Sequence, residues 1–130
     1  MSQKDLPGLV TKPSSRSVRA TLDRLESIVA ERGLTVFARF DHSDAAAAAG
    51  LRMPASHVLV FGSPRAGTPL MLANPLIALE LPLRVLVWSG AAGDVFVTYA
   101  DPANLAARYG IPPELVANIT GLEAIVAAAL

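Results

Sequence analysis

A chain of 130 residues suits one domain, and a domain of this size buries roughly two thirds of the surface its unfolded chain exposes. There is no Cys, which excludes disulfides, thiolate metal sites and cysteine nucleophiles. Eleven Lys and Arg balance eleven Asp and Glu without a block of like charge, so no nucleic-acid or anionic-membrane partner is expected.

The start, MSQKDLPGLV, has no apolar segment behind its charges and predicts neither a signal nor a transit peptide. The longest apolar stretch, Leu70 to Leu83, is broken by Asn74, Pro75, Glu80 and Pro82 and falls short of the ~18 residues a membrane span needs. A cytoplasmic protein is expected. Apolar residues make up 52% of the chain, an excess over ordinary composition that a homo-oligomeric interface would cover.

Residues 1–7 read as a flexible start and 8–130 as the domain. Gly8 to Lys12 is an edge strand ended by Pro13. Val18, Leu22, Leu25, Ile28 and Val29 then form one helical stripe, with Ser14, Ser15 and Ser17 competing for the cap and Gly33 closing the helix. From Leu34 the period changes to two. Leu34, Val36, Ala38, Phe40 and His42 take one face of a strand and Thr35, Phe37, Arg39 and Asp41 the other. Ser43 caps a short alanine helix stopped by Gly50.

His57 to Phe61 is a buried strand, Gly62 to Gly67 a turn, and Thr68-Pro69 a helix start, with a second start at Asn74-Pro75. Pro82 ends this helical region. The strand Leu83 to Trp88 turns at Gly90 to Gly93 into Val95 to Tyr99, whose residues Val95, Val97 and Tyr99 share a face. Asp101-Pro102 starts a helix that closes at Gly110. In the last segment Leu115, Ile119, Leu122, Ile125 and Val126 keep one stripe, while Thr120-Gly121-Leu122-Glu123 reads as a capping box that favours a break near Thr120. The order β-α-β-α-β-α-β-β-α-α predicts an α/β (α+β) single domain. Its mixed four- or five-stranded sheet is packed by helices, with parallel crossovers beside one antiparallel hairpin.

Two clusters could carry chemistry. Gly62-Ser63-Pro64-Arg65-Ala66-Gly67-Thr68 has the glycine spacing of a phosphate loop. However, Thr68 stands where the lysine belongs, Pro69 follows where a hydroxyl is needed, and Pro64 removes an amide. What survives is an anion site made of turn amides with Arg65 beside them, set against a plain capped turn. The second cluster is Asp41 and His42 at a strand end, where His42 is a candidate general acid or base. Against that stand a satisfied core histidine and an Asp41 that only caps the alanine helix. Parallel neighbours would keep His57 away from His42, and two His without Cys imply no metal site. Glu80 is the only acid between Leu70 and Leu83, a candidate site acid or an Arg84 partner. No serine-elbow, dinucleotide-binding or zincin motif occurs, and no cofactor is implied.

Taken in order, Asp41-His42 after a strand, Phe61-Gly62-Ser63-Pro64 with Gly67-Thr68 and Leu70-Met71, Leu81-Pro82-Leu83, and Tyr99 with Asp101-Pro102 form a set that resembles the domain of unknown function 302 family. The likeness runs from about Gly8 into the last helix. It implies a compact α/β fold that pairs into homodimers, and no activity. Ser63 stands where the family often has Asn. The expectation is a homodimeric domain binding a small polar or anionic molecule near Asp41, His42, Gly62, Ser63, Arg65, Gly67 and Thr68. The alternatives are a small enzyme using His42 and a structural dimerisation module without a site.

Overall fold

Leu22, Leu25, Ile28 and Val29 are buried on the stripe of helix α1, Val18–Glu31, because their spacing brings them to one face. The computed structural model describes residues 5–130. Of the expected flexible start, residues 1–4 lie outside them. Among the competing serines Ser17 is the cap of α1, its hydroxyl oxygen accepting the Ala20 N–H at 3.0 Å. At the other end Gly33 takes φ +71°. Gly33 N–H then reaches Ala30 O, and Leu34 N–H reaches Val29 O, which satisfies two terminal carbonyls.

The five strands are β1 Leu9–Ser14, β2 Thr35–Asp41, β3 Ser56–Gly62, β4 Leu83–Ser89 and β5 Val95–Ala100. They form one sheet in the order β1-β5-β4-β3-β2. The α+β class, the strand number and the element order follow the expectation. The strand directions do not, because every neighbouring pair is antiparallel. The short helix α2, His42–Ala48, and the loop after it return the chain to the end of β2 that it left, with His57 opposite Asp41, so β3 runs antiparallel to β2. Strand β1 is an edge as expected. It continues through Pro13 to Ser14, since an edge strand tolerates a residue without an N–H.

One face of the sheet carries Leu59, Phe61, Val85, Val87, Val97 and Tyr99, all in one buried core with α1 and with Leu122, Ile125, Val126 and Ala129 of helix α5, Pro113–Ala129. Burying Leu or Phe in this way contributes about 1.5–3 kcal/mol per side chain. A second cluster joins Leu70 of helix α3, Pro64–Ala73, to Ile77, to Leu105 of helix α4, Pro102–Arg108, and to Ile119 of α5.

Of three local readings in the helices, two are corrected. Helix α3 starts at Pro64 under the Ser63 cap, one turn before Thr68-Pro69, so Pro69 lies inside it and removes the amide that would reach Arg65 O. The start at Asn74-Pro75 stands and opens a 3₁₀ helix, Pro75–Glu80. Helix α5 is continuous through Thr120. The Thr120 hydroxyl donates back to Ala117 O and does not cap forward, while the apolar stripe on both sides packs into the core.

In β2 the register shifts between Val36 and Ala38. Val36 therefore stands opposite Phe61 while Ala38 stands opposite Val60, which overturns the single face expected for Leu34, Val36, Ala38 and Phe40. The extra residue is Phe37. Such a bulge re-aims its side chain, and Phe37 is left 51% exposed.

Candidate functional site

Strands β3 and β4 meet helix α3 at the Gly62 end of the sheet, where a cleft of about 450 Å³ opens. Leu34 comes to it from the connection between α1 and β2, Leu83 from β4, Leu70 and Met71 from α3, and Ile119 and Leu122 from α5. The bulge residue Phe37 and the segment Leu81-Pro82 complete its apolar lining. Its size and character are those of pockets that hold small organic ligands. Ser63, Thr68 and Asn118 supply hydroxyl and amide groups, and Arg32 is its one charged lining residue.

Four of the residues singled out from the sequence, Gly62, Ser63, Gly67 and Thr68, line this cleft. Arg65 is exposed and outside the lining. The turn amides are committed within the chain. Arg65 N–H donates to Ser63 Oγ at 3.2 Å, and Ala66 and Gly67 N–H donate to Ser63 O at 3.1 and 2.9 Å. The cradle of free amides that anion binding would use at this turn is therefore closed. Asn118 Nδ2 ties α5 to α3 by donating to Ala66 O at 3.0 Å.

Asp41 and His42 lie elsewhere. Asp41 pairs in register with His57, and Thr35 with Gly62. The five residue-to-residue steps of β3 from His57 to Gly62 put roughly 17 Å between the two ends. Asp41 is the cap of α2, as the plainer of its two readings had it, and Ser43, also expected in that role, is not. Its Oδ1 accepts the Ser43 hydroxyl at 2.6 Å and the Asp44 N–H at 2.9 Å. These bonds, the Ser43 hydroxyl foremost, hold the carboxyl below its usual value of 3.8, with the charge of His57 assisting. His42 is exposed in the first turn of α2 and is not a core histidine.

The antiparallel pairing brings His57 beside Asp41, where parallel strands would have kept the two apart. Its Nδ1 stands 3.8 Å from Asp41 Oδ2, too far for a hydrogen bond, and is buried without a partner. Among the described residues no group of three His, Cys, Asp or Glu is arranged to hold a metal ion.

Glu80 belongs to neither place. Its carboxylate accepts from Arg84 at 3.1 Å and from the Tyr109 hydroxyl at 3.0 Å, and lies 3.7 Å from Arg108. The Arg84 pairing is one of the two roles expected of it. Burial first, then Glu80, pushes the Tyr109 phenol above its ordinary value. Glu80 thus fastens the 3₁₀ helix to β4 and to the end of α4.

Sequence reasoning missed Arg32, Phe37, Asn118 and Gly121 of the lining. Gly121 had a legible signal, a glycine inside an amphipathic stripe, but it was absorbed into the capping box.

An antiparallel sheet with helices on its buried face and a ligand-sized cleft at one end defines a single α+β domain. The chain belongs to the DUF302 family, the domain of unknown function DUF302, whose sequence model matches residues 10–129. The crystal structure of an uncharacterized conserved DUF302 protein from Bacillus stearothermophilus has the same fold, with TM-score 0.78 over 96% of this chain and 97% of that one, at 21% identity. Among curated proteins, the chain is 41% identical over 104 residues to the fluoride-specific ion channel FluC 1 of Brucella suis, covering 80% of this chain and 41% of that protein. The match to FluC 2 of Brucella melitensis is the same, covering 38% of that protein. The chain thus spans about two fifths of the length of these relatives. Among its described residues no helix is long and apolar enough to cross a membrane.

Proposed function

We propose that this chain is a binding domain for a small molecule with an apolar body, held in the cleft between α3, α5 and the Gly62 end of the sheet. Two glycines carry the reading. Gly67 lies within α3 and Gly121 within α5, and both line the cleft. Each costs its helix about 1 kcal/mol relative to Ala. Neither has the positive φ that would require glycine. A Cβ at Gly121 would meet nothing within 4 Å, and one at Gly67 only Leu81 and Met71 at ordinary contact distances of 3.7 and 3.9 Å. Backbone conformation and crowding therefore leave both glycines unexplained, whereas keeping space open in the cleft accounts for both. No His, Asp or Glu lines the cleft, which favours binding over acid–base catalysis.

The test is a pair of substitutions at Gly121. Ala adds little bulk and removes the helix penalty, so Gly121→Ala is expected to gain about 0.5–1 kcal/mol in denaturant unfolding. Gly121→Phe fills the cleft and is expected to abolish saturable binding of octanol, followed by amide chemical shifts, while the cooperative melt is retained. Undiminished octanol binding by Gly121→Phe would place the ligand elsewhere.

We also propose that the domain works as a homodimer through the sheet face opposite the helices. That face carries Leu9 and Phe40, 43% and 53% exposed, and the packed rings of Trp88 and Phe96, 4.9 Å apart. As for the curated relatives, fluoride is a small ion that needs several converging donors, and an apolar cleft with one cation does not offer them. Any channel activity of those proteins is therefore assigned to the part of their length outside the segment they share with this chain.

A further inference from the structure

We infer that the cleft selects amphipathic anions, a carboxylate on an apolar chain, with Arg32 as the anchor of the acidic head; this rests on the cleft being the binding site. Arg32 is the one charged residue of the lining, and no Asp or Glu joins it there. It is exposed, and among the described residues its guanidinium takes part in none of the ion pairs. The Arg residues that do pair with an acid, Arg39 with Glu26 and both Arg84 and Arg108 with Glu80, lie outside the lining.

The position of Arg32 follows from the chain. It is the C-terminal cap of α1, and its backbone N–H closes the helix on Ile28 O and Ala30 O. Gly33 then turns the chain sharply into Leu34, so the cation and the apolar Leu34 reach the same cleft two residues apart. A cation at a helix C-terminus is favourable by itself, but that role calls for no apolar cleft beside it. With the amides of Arg65, Ala66 and Gly67 already donated within the chain, Arg32 is the cation left to meet an acidic head. A guanidinium fork matches a carboxylate in geometry as well as charge. The apolar remainder of the ligand then lies along Leu34, Leu70, Leu83 and Leu122.

The probes are octanoate, octanol and octylammonium, which share one chain and differ in head group. Binding is followed by amide chemical shifts of the cleft glycines at low salt. Octanoate should bind roughly tenfold more tightly than octanol and octylammonium more weakly than either, with the octanoate advantage shrinking as salt is added. Arg32→Gln should bring octanoate down to the affinity of octanol without changing octanol, and Arg32→Glu should reverse the order of the two ions. Arg32 is exposed, and an unchanged melting temperature verifies that each variant folds. If all three probes bind the wild type equally and Arg32→Gln changes nothing, the anchor is overturned while the cleft stands. If none of the three binds, the anchor and the cleft reading fall together.

Discussion

Asp41 shows how one side chain takes a structural role that its sequence context leaves open. Its carboxylate caps α2, is bonded by the Ser43 hydroxyl and sits beside His57, all of which favour the charged form. The folded pKa is therefore lowered, and the unfolded chain binds more protons in acid than the folded one. The stabilisation is present above the unfolded value and is lost as pH falls through the folded one. Asp41→Asn keeps an adequate cap but cannot titrate. We predict that wild type melts above Asp41→Asn at pH 7 and that the gap closes as the solution is acidified below about pH 4. A gap that stays constant across the acid range would show that the carboxylate charge contributes nothing.

At the scale of elements, much of the chain could be read directly. The α1 stripe, the Asp101 cap and the β4–β5 hairpin each follow from local spacing or from the one residue able to supply a bond, whereas the α1 cap is legible only as one of three serines. What could not be read was decided by contacts distant in sequence. Ser63-Pro64 and Thr68-Pro69 present the same cap-and-proline pattern, and packing of Leu70 and Met71 with the second cluster accompanies the earlier start. The bulge at Phe37 leaves no mark on its own strand, because it is defined by the register with β3. The same holds for the candidate site, since the Gly62–Thr68 turn was visible but its opposite wall on α5 was not.

The Glu80 clamp belongs to this scale, because it joins three elements through one carboxylate. Arg84 is half exposed, so its pair contributes the smaller share, and the half-buried Tyr109 hydroxyl the larger. Glu80→Gln should lower stability by about 1–2 kcal/mol in urea unfolding. A loss under about 0.3 kcal/mol would mean that the 3₁₀ helix is held by Ile77 packing alone.

For the whole molecule, the decisive asymmetry is between the two faces of the sheet. One face is sealed by α1 and α5, while the other keeps apolar side chains half buried or exposed. Its polar atoms are turned toward one another. Trp88 Nε1 donates to Thr98 Oγ at 2.9 Å, and Thr98 Oγ lies 2.8 Å from Thr11 Oγ. These bonds join β4, β5 and β1 across the face and lower the cost of removing those groups from water. In the neighbouring strands Phe40, Val58 and Leu86 stand in one cross-strand row with Thr98. A face with internally satisfied polar groups and a continuous apolar row has the composition of a self-complementary two-fold interface. Phe40 is its most exposed aromatic residue, and on an edge strand it can be replaced without opening the buried core. Phe40→Asp would bring two like charges together across such an interface, or desolvate them. We predict that wild type sediments as a dimer at micromolar concentration and Phe40→Asp as a monomer, with octanoate still bound because the cleft lies at the other face. A wild-type chain that sediments as a monomer throughout would leave this face an ordinary solvent surface.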